Sequence, residues 1–220
     1  MSTPRRAFIM SSIEQYLALI INVTVVATMA RLLTPDAVGH AVTGLGIGAI
    51  ALSLREFVTP EFLIQKAEID EKDLRTSFTT LFGITVLVTI GLMAVSGKIA
   101  AFYDSPELPF FLFLVMMSAF AEVISQPVIA VLRREMAFGT LANIRTVSLL
   151  VSALTTVILG MLDFGYVSYG WGMLASAITL AALTAFVTPH SLFSICRPSL
   201  ASWKVVFTFG SFKGASQAVD

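Results

Sequence analysis

Two ionisable side chains embedded in apolar sequence are the residues whose chemistry is hardest to explain by packing. Glu122 follows an almost purely apolar run from Leu108 to Phe120, and Arg145 lies seven residues into an apolar run that begins at Phe138. An ionisable group within hydrocarbon is costly and usually has a role. A buried carboxylate can exchange a proton or hold a cation, and a guanidinium can bind phosphate through two parallel hydrogen bonds. Glu122 and Arg145 are therefore our first candidates for a substrate or ion pathway.

Further polar residues recur at helical spacing around these two. Residues three and four apart share one face of a helix, so each predicted helix carries its polar groups as a stripe. The stripes are Ser118, Glu122, Ser125 and Gln126; Arg145, Ser148, Ser152 and Thr155; and Ser11, Gln15 and Asn22 with Glu14 beside them. We expect them to line the bundle interior or a wet cavity, because they cannot face lipid cheaply. With two arginines at helix ends, the pathway candidates are Glu122, Arg145, Glu14, Gln126, Gln15, Arg31 and Arg55.

Each of these features also has a purely structural interpretation. The hydroxyl stripes are typical of helix-packing faces in membranes. Pro127 after Gln126 removes a helical hydrogen bond, which alone can kink a helix. Glu122 can belong to a structural buried pair, and Arg145 is only about 10 Å deep at 1.5 Å per residue, from where it can extend to the surface. Arg31 and Arg55 are well placed as interfacial anchors.

Composition places the chain among membrane proteins. Apolar residues make up 56% and charged residues 13% of its 220 residues, and the mean hydropathy is +0.87. Soluble domains have about 45–50% apolar and 25% charged residues. Six apolar segments are long enough to cross about 30 Å of hydrocarbon as helices. Their predicted bounds are residues 7–33, 35–54, 74–102, 106–132, 138–162 and 166–187, and the start of a seventh follows at 203–219.

Turn residues define the predicted helix boundaries. Thr34 with Pro35 predicts an N-cap followed by proline at the first helical position, and Ser105 with Pro106 predicts the same at the fourth span. The charged connection from Arg55 to Arg75 is expected to be a solvated cytoplasmic segment that is helical in its second part. We interpret the N-terminal apolar run as an uncleaved first span, since it exceeds a signal-peptide core and is interrupted by Glu14.

Basic residues predict the orientation. With the N-terminus in the cytoplasm, the outer turns hold only Arg31 and Lys98, as the positive-inside rule requires. The cytoplasmic segments would then hold Arg5, Arg6, Arg55, Lys66, Lys72, Arg75, Arg133, Arg134, Arg197 and Lys204. We expect residues 1–190 to form one six-helix lobe, and residues 191–220 to be a cytoplasmic link and the beginning of a truncated second lobe.

Several classes of function are disfavoured by the sequence. The zero net charge carries no signal for nucleic acid. The single cysteine, Cys196, and the widely separated His40 and His190 form no metal-binding motif, so we predict neither metal nor cofactor. Gly44–Ala49 matches GxGxxA, but without a preceding strand it indicates a close helix contact through Gly44 and Gly48. We predict no catalytic residue and expect a protein that is not an enzyme.

Two connecting stretches have a distinctive residue pattern: Leu132–Phe138 reads L-x-R-x-M-x-F, and Leu33–Gly39 reads L-T-P-x-x-x-G. Both patterns resemble connections in the polysaccharide flippases of the multidrug/oligosaccharidyl-lipid/polysaccharide exporter superfamily. The order and spacing of the motifs carry the resemblance over nearly the whole chain. The other matching stretches are Ile64–Lys66, Asp73–Thr76, Phe102–Leu108, Gly165–Tyr166 and Trp171–Gly172.

The resemblance implies the first of two six-helix lobes that face a central cavity, in the inner membrane of a bacterium. It implies a lipid-linked oligosaccharide as substrate, moved to the outer leaflet by alternating access for surface polysaccharide export. The implied partners are the lipid bilayer, the C-terminal lobe and, as a further candidate, the polysaccharide polymerase machinery.

Three other functions remain open. The first is a cation-coupled drug or small-molecule antiporter of the same superfamily, which an embedded carboxylate would suit. The second is a membrane-embedded transferase, although the outer turns are short for a substrate cleft. The third is a non-catalytic scaffold.

Overall fold

The structure, a computed structural model, describes residues 4–56 and 71–187, and over these ranges it is all-α. Six helices follow one another in the described chain. They are α1 (Pro4–Leu32), α2 (Pro35–Glu56), α3 (Glu71–Phe102), α4 (Leu108–Arg134), α5 (Phe138–Met161) and α6 (Val167–Val187). The predicted seventh span and most of the charged connection lie outside the described residues. The described helical residues 71–75 confirm that the last part of this connection is helical.

Each of the six helices contains an apolar segment of 20 to 27 residues. At 1.5 Å per residue these segments are about 30–40 Å long, which matches the hydrocarbon thickness of a bilayer. The chain is therefore a multi-pass membrane protein, and the predicted six-helix bundle is confirmed. Helices α1 and α5 run parallel, and so do α2 and α4, because successive residues of one helix meet successive residues of the other.

Helix α4 is the centre of the bundle. Of the residues in its span, 56% are buried, compared with 6–22% in the other five spans. It packs closely against α3 and α6 and also touches α2 and α5, whereas α1 packs along α5. The core therefore follows α4, and it includes the fully buried Leu108, Phe111, Leu112 and Val115.

Small residues allow α2 to approach α4. A β-carbon at Gly44 would lie 2.7 Å from the Phe111 ring, and one at Gly48 would lie 3.1 Å from Val115. A side chain at position 44 would have to displace the Phe111 ring, and one at position 48 would push Val115 by a few tenths of an ångström, so glycine favours this close approach. This confirms that Gly44 and Gly48 form a close helix contact.

One predicted helix cap is confirmed and the other is wrong. The Thr34 hydroxyl accepts a hydrogen bond from the Ala37 N–H at 3.3 Å, and α2 begins at Pro35 as predicted. Ser105 does not cap α4, which begins at Leu108. The physical reason is that Ser105 still closes the end of α3, where its N–H donates to the Ala100 carbonyl at 3.0 Å, and its hydroxyl is bonded to Tyr166.

Three helices end in a left-handed residue that is not glycine. The residues are Asp104 after α3, Met136 after α4 and Asp163 after α5, with φ of 50°, 56° and 62°. After Met136 the Ala137 N–H donates to the Leu132 carbonyl, and the Met136 N–H donates to the Arg133 carbonyl. This is the Schellman pattern, which satisfies the last carbonyls of the helix.

Candidate substrate pathway

The structure pairs two of the predicted pathway residues. Arg145 Nη1 lies 3.6 Å from Glu14 Oε1, and this contact joins the N-terminal halves of α5 and α1. The Arg145 side chain is 40% exposed and that of Glu14 is 18% exposed. The two residues neutralise each other where an isolated charge would be costly, and the guanidinium stays reachable from outside the bundle.

Helices α1 and α5 form a seam with two different sides. They run parallel, because Glu14 meets Arg145 near their starts and Met29 fills the space beside Gly160 near their ends. On one side an apolar groove of about 220 Å³ opens between them. Its lining is Ile13, Glu14, Leu17, Ala142, Asn143, Thr146 and Val147.

The other side of this seam is polar. At 100° per residue, Gln15 and Asn22 project about 160° and 180° from Ile13, which lines the groove, and therefore away from the groove. Arg145 likewise lies about 160° from Asn143 and Val147, which border the groove on α5. Because the two helices are parallel, Gln15, Asn22 and Arg145 lie on the same side of the seam, which we call the polar side.

The polar side is at the surface of the described bundle rather than in its interior. Both Gln15 and Asn22 are exposed. Of the two settings predicted for this stripe, the interior of the six helices is wrong, because α1 packs along α5 through the face that carries Glu14 and Met29. The other setting, a wet cavity, stays a prediction. An exposed polar stripe in a membrane bundle indicates contact with water or with further polar protein surface.

The stripe on α4 has a different setting. Ser118 and Ser125 are buried, while Glu122 and Gln126 are half-buried. The Ser118 hydroxyl donates to the Val115 carbonyl at 2.7 Å, whereas the Ser125 hydroxyl has no hydrogen-bond partner within the described part of the chain. Pro127 lies within α4 and does not end it. The α4 stripe thus faces other helices, as predicted.

The structure shows neither of the two predicted arginines at helix ends, Arg31 and Arg55, beside Arg145. Arg31 is exposed in the last turn of α1, about 25 Å along the helix axis from Glu14, so the structure does not bring it to Arg145. The side chain of Arg55 lies outside the described residues. Its backbone position can still be compared with Glu122. Gly48 of α2 faces Val115 of α4, and the two helices run parallel. Position 55 is seven residues after Gly48 and Glu122 is seven residues after Val115, so the two positions lie at about the same level along the bundle.

A polar contact that the sequence did not predict lies at the opposite end of the bundle. The Ser105 and Tyr166 hydroxyl oxygens are 2.7 Å apart, and both residues are almost fully buried. The rings of His40 and Phe111 lie 5.8 Å and 5.7 Å from that of Tyr166. This contact ties the α3–α4 turn to the α5–α6 turn. The sequence contains little indication of the Ser105–Tyr166 hydrogen bond, because a serine before Pro106 is equally typical of a helix N-cap.

Comparison with known proteins identifies the family. A family model described as polysaccharide biosynthesis protein matches residues 28–219. Neither the curated proteins nor the solved structures gave a match. The chain belongs to the polysaccharide biosynthesis protein family. Together with its six membrane-spanning helices, this makes it a polysaccharide-related membrane transporter in the broad sense.

Proposed function

We propose that the protein is a flippase that moves a lipid-linked oligosaccharide across the bacterial inner membrane. The family and the six spans support a polysaccharide-related transporter. The observation that carries the finer proposal is the half-exposed Arg145 guanidinium on the polar side of the α1–α5 seam. A cation at this depth suits a cargo whose lipid and sugar are joined by pyrophosphate, since guanidinium binds phosphate oxygens in pairs.

The proposed mechanism uses a second lobe that faces the polar side. Rocking of two lobes would expose the space between them first to the cytoplasm and then to the outside. Arg145, with Arg55 and Arg31 at other levels, would meet the pyrophosphate. Either Glu122 or Glu14 would bind a coupling proton or cation. The protein would then act as a transporter and not as an enzyme.

The proposed orientation places the N-terminus and the α4–α5 turn in the cytoplasm. Arg133 and Arg134 end α4 at this turn, whereas the other end of the described bundle holds only Arg31 and Lys98 as basic residues. This asymmetry follows the positive-inside rule. The polymerase machinery, as a further proposed partner, would receive the cargo at the outer surface.

A transport assay on the full-length protein tests the proposal. Proteoliposomes containing a fluorescent lipid-linked oligosaccharide would report its movement between leaflets. We expect Arg145→Ala and Glu122→Gln to slow this movement at least tenfold. Asn143→Ala removes an exposed polar side chain on the groove side of α5 and should leave the rate unchanged. Unchanged rates in both Arg145→Ala and Glu122→Gln would remove the proposed roles of these residues.

The half-buried carboxylate of Glu122 also suits a cation-coupled antiporter for drugs or other small molecules. Deleting the gene separates the two candidates. Loss of surface polysaccharide with unchanged drug resistance supports the flippase, and the reverse result supports the antiporter.

A further inference from the structure

The two charges of the α1–α5 pair differ in how they can be reached. Their 3.6 Å separation is within ion-pair range but longer than a hydrogen bond. Arg145 is more exposed than Glu14, and its position on α5 turns it to the polar side, with Gln15 and Asn22. An anion approaching along this side therefore meets the guanidinium before it meets the carboxylate.

We propose that Glu14 is a built-in counter-anion, which occupies Arg145 while the transporter is empty and is displaced by the phosphate group of the cargo. This inference rests on the proposed function and assigns Glu14 a role in setting affinity for the anion. Glu14 acts through Arg145 and does not itself touch the cargo.

Electrostatics explains why such a counter-anion is needed. An uncompensated arginine within a membrane helix is expensive, so a transporter that must release its anionic cargo needs a replacement charge after each release. Phosphate oxygens accept two parallel hydrogen bonds from guanidinium, which a carboxylate held 3.6 Å away does not achieve. The phosphate of the cargo therefore binds Arg145 more strongly than the Glu14 carboxylate does and displaces it. The exchange is reversible because Glu14 can return to Arg145 once the cargo has left.

The location of the pair gives the exchange a mechanical consequence. Glu14 and Arg145 join α1 to α5 at one end, while Met29 packs against Gly160 at the other. Displacing Glu14 would release α1 from α5 at the cargo-binding end and leave the far end in contact. The binding of an anion would then be communicated to the position of α1.

Inorganic pyrophosphate is a suitable probe, titrated by calorimetry into the full-length protein in lipid nanodiscs. If Glu14 competes with the anion, Glu14→Gln should bind pyrophosphate about three- to tenfold more tightly, the factor expected for removal of a moderate ion pair. Arg145→Gln should lose binding. Asn143→Ala should bind as the unaltered protein does.

Two further variants separate competition from a structural role. Glu14→Asp shortens the side chain but keeps its charge and should bind with intermediate affinity, which keeps the test open if Glu14→Gln does not fold. The double exchange Glu14→Arg with Arg145→Glu retains an ion pair and should preserve the melting temperature, while moving the cation to α1 and weakening binding. A purely structural pair would show no tightening in either Glu14→Gln or Glu14→Asp.

The outcomes distinguish this inference from the proposed function. If Arg145→Gln abolishes binding but Glu14→Gln and Glu14→Asp do not tighten it, the counter-anion role is wrong and the phosphate role of Arg145 stands. If Arg145→Gln binds pyrophosphate normally, the phosphate role fails and the counter-anion role fails with it.

Discussion

Met136 is held in a conformation that its side chain disfavours. Its φ of 56° is in the left-handed region, where a β-carbon crowds the following carbonyl, and its side chain is 48% exposed. The turn needs this geometry because the N–H groups of Met136 and Ala137 both close the end of α4. Met136 belongs to the L-x-R-x-M-x-F pattern of the sequence, but this pattern did not predict that its backbone would adopt a left-handed conformation.

Met136→Gly should therefore stabilise the protein. Relief of the left-handed strain is worth about 1–2 kcal/mol, and the added freedom of the unfolded chain returns part of this, so we expect a gain of about 0.5–1 kcal/mol. Reversible unfolding of the purified protein in detergent measures it. Met136→Ala is the matched control, because it removes the same side chain and keeps the β-carbon. Equal stability of the two variants would show that φ is not the cause.

Tyr166 is the residue that joins two turns at the other end of the bundle. Burial raises the pKa of its hydroxyl above the ordinary 10.0, the nearby Glu107 charge raises it further, and the hydrogen bond with Ser105 opposes both. A raised pKa in the folded state means that the folded protein holds the proton more tightly than the unfolded chain. Its contribution to stability is therefore present below pH 10 and is lost as the pH rises through the folded pKa.

Replacing Tyr166 by phenylalanine should destabilise the protein at neutral pH. The buried Ser105 hydroxyl would lose its 2.7 Å partner, which costs about 1–3 kcal/mol. The same unfolding measurement, repeated above pH 10, should show a smaller difference between variant and unaltered protein. Tyr103→Phe is the control, since Tyr103 is 43% exposed. A difference that grows with pH would contradict the assigned proton linkage.

At the scale of the helices, hydropathy and turn residues predicted the elements well. The predicted spans 35–54 and 138–162 correspond to α2 (Pro35–Glu56) and α5 (Phe138–Met161). The length of an apolar segment predicts such a helix because, within the membrane, all backbone N–H and C=O groups of the segment must be hydrogen-bonded to one another. Which helices become neighbours is a different matter, since α1 packs along α5, far away in sequence. The Glu14–Arg145 pair depends on that neighbourhood and was therefore not predicted.

Glycine contacts fix how closely the helices approach. A β-carbon at Gly172 of α6 would lie 3.0 Å from the Ser152 carbonyl oxygen of α5 and would collide with the Thr156 hydroxyl. Neither the backbone of α5 nor the buried Thr156 can easily withdraw. The α5–α6 contact therefore depends on the absence of a side chain at this position.

Gly172→Ala should destabilise the lobe by about 1–3 kcal/mol, the usual cost of overpacking. Gly46→Ala is the control in α2, where an added β-carbon meets nothing within 4 Å. That variant should be neutral or slightly more stable, because alanine favours a helix over glycine by about 1 kcal/mol. Thermal unfolding of the two detergent-solubilised variants measures the difference in stability. A Gly172→Ala protein as stable as Gly46→Ala would contradict the close α5–α6 contact.

At the scale of the whole molecule, polar residues divide between interior and surface. The α4 stripe with Glu122 faces neighbouring helices, while the α1 stripe with Gln15 and Asn22 is exposed. Periodicity predicted both stripes but could not distinguish their settings, because it gives the face of a helix and not what covers that face. The exposed stripe next to Arg145 is the surface on which the proposed pathway depends.

Water accessibility of α1 in the intact membrane tests this central claim most directly. Asn22→Cys and Ile20→Cys would each be introduced into full-length protein with Cys196→Ser, and labelled by a small water-soluble maleimide in membrane vesicles. Both positions are exposed in the lobe, but they project about 160° apart. We predict rapid labelling at position 22 and little at position 20. Equal labelling at the two positions, or none at position 22, would contradict a watery path along the polar side of α1 and α5.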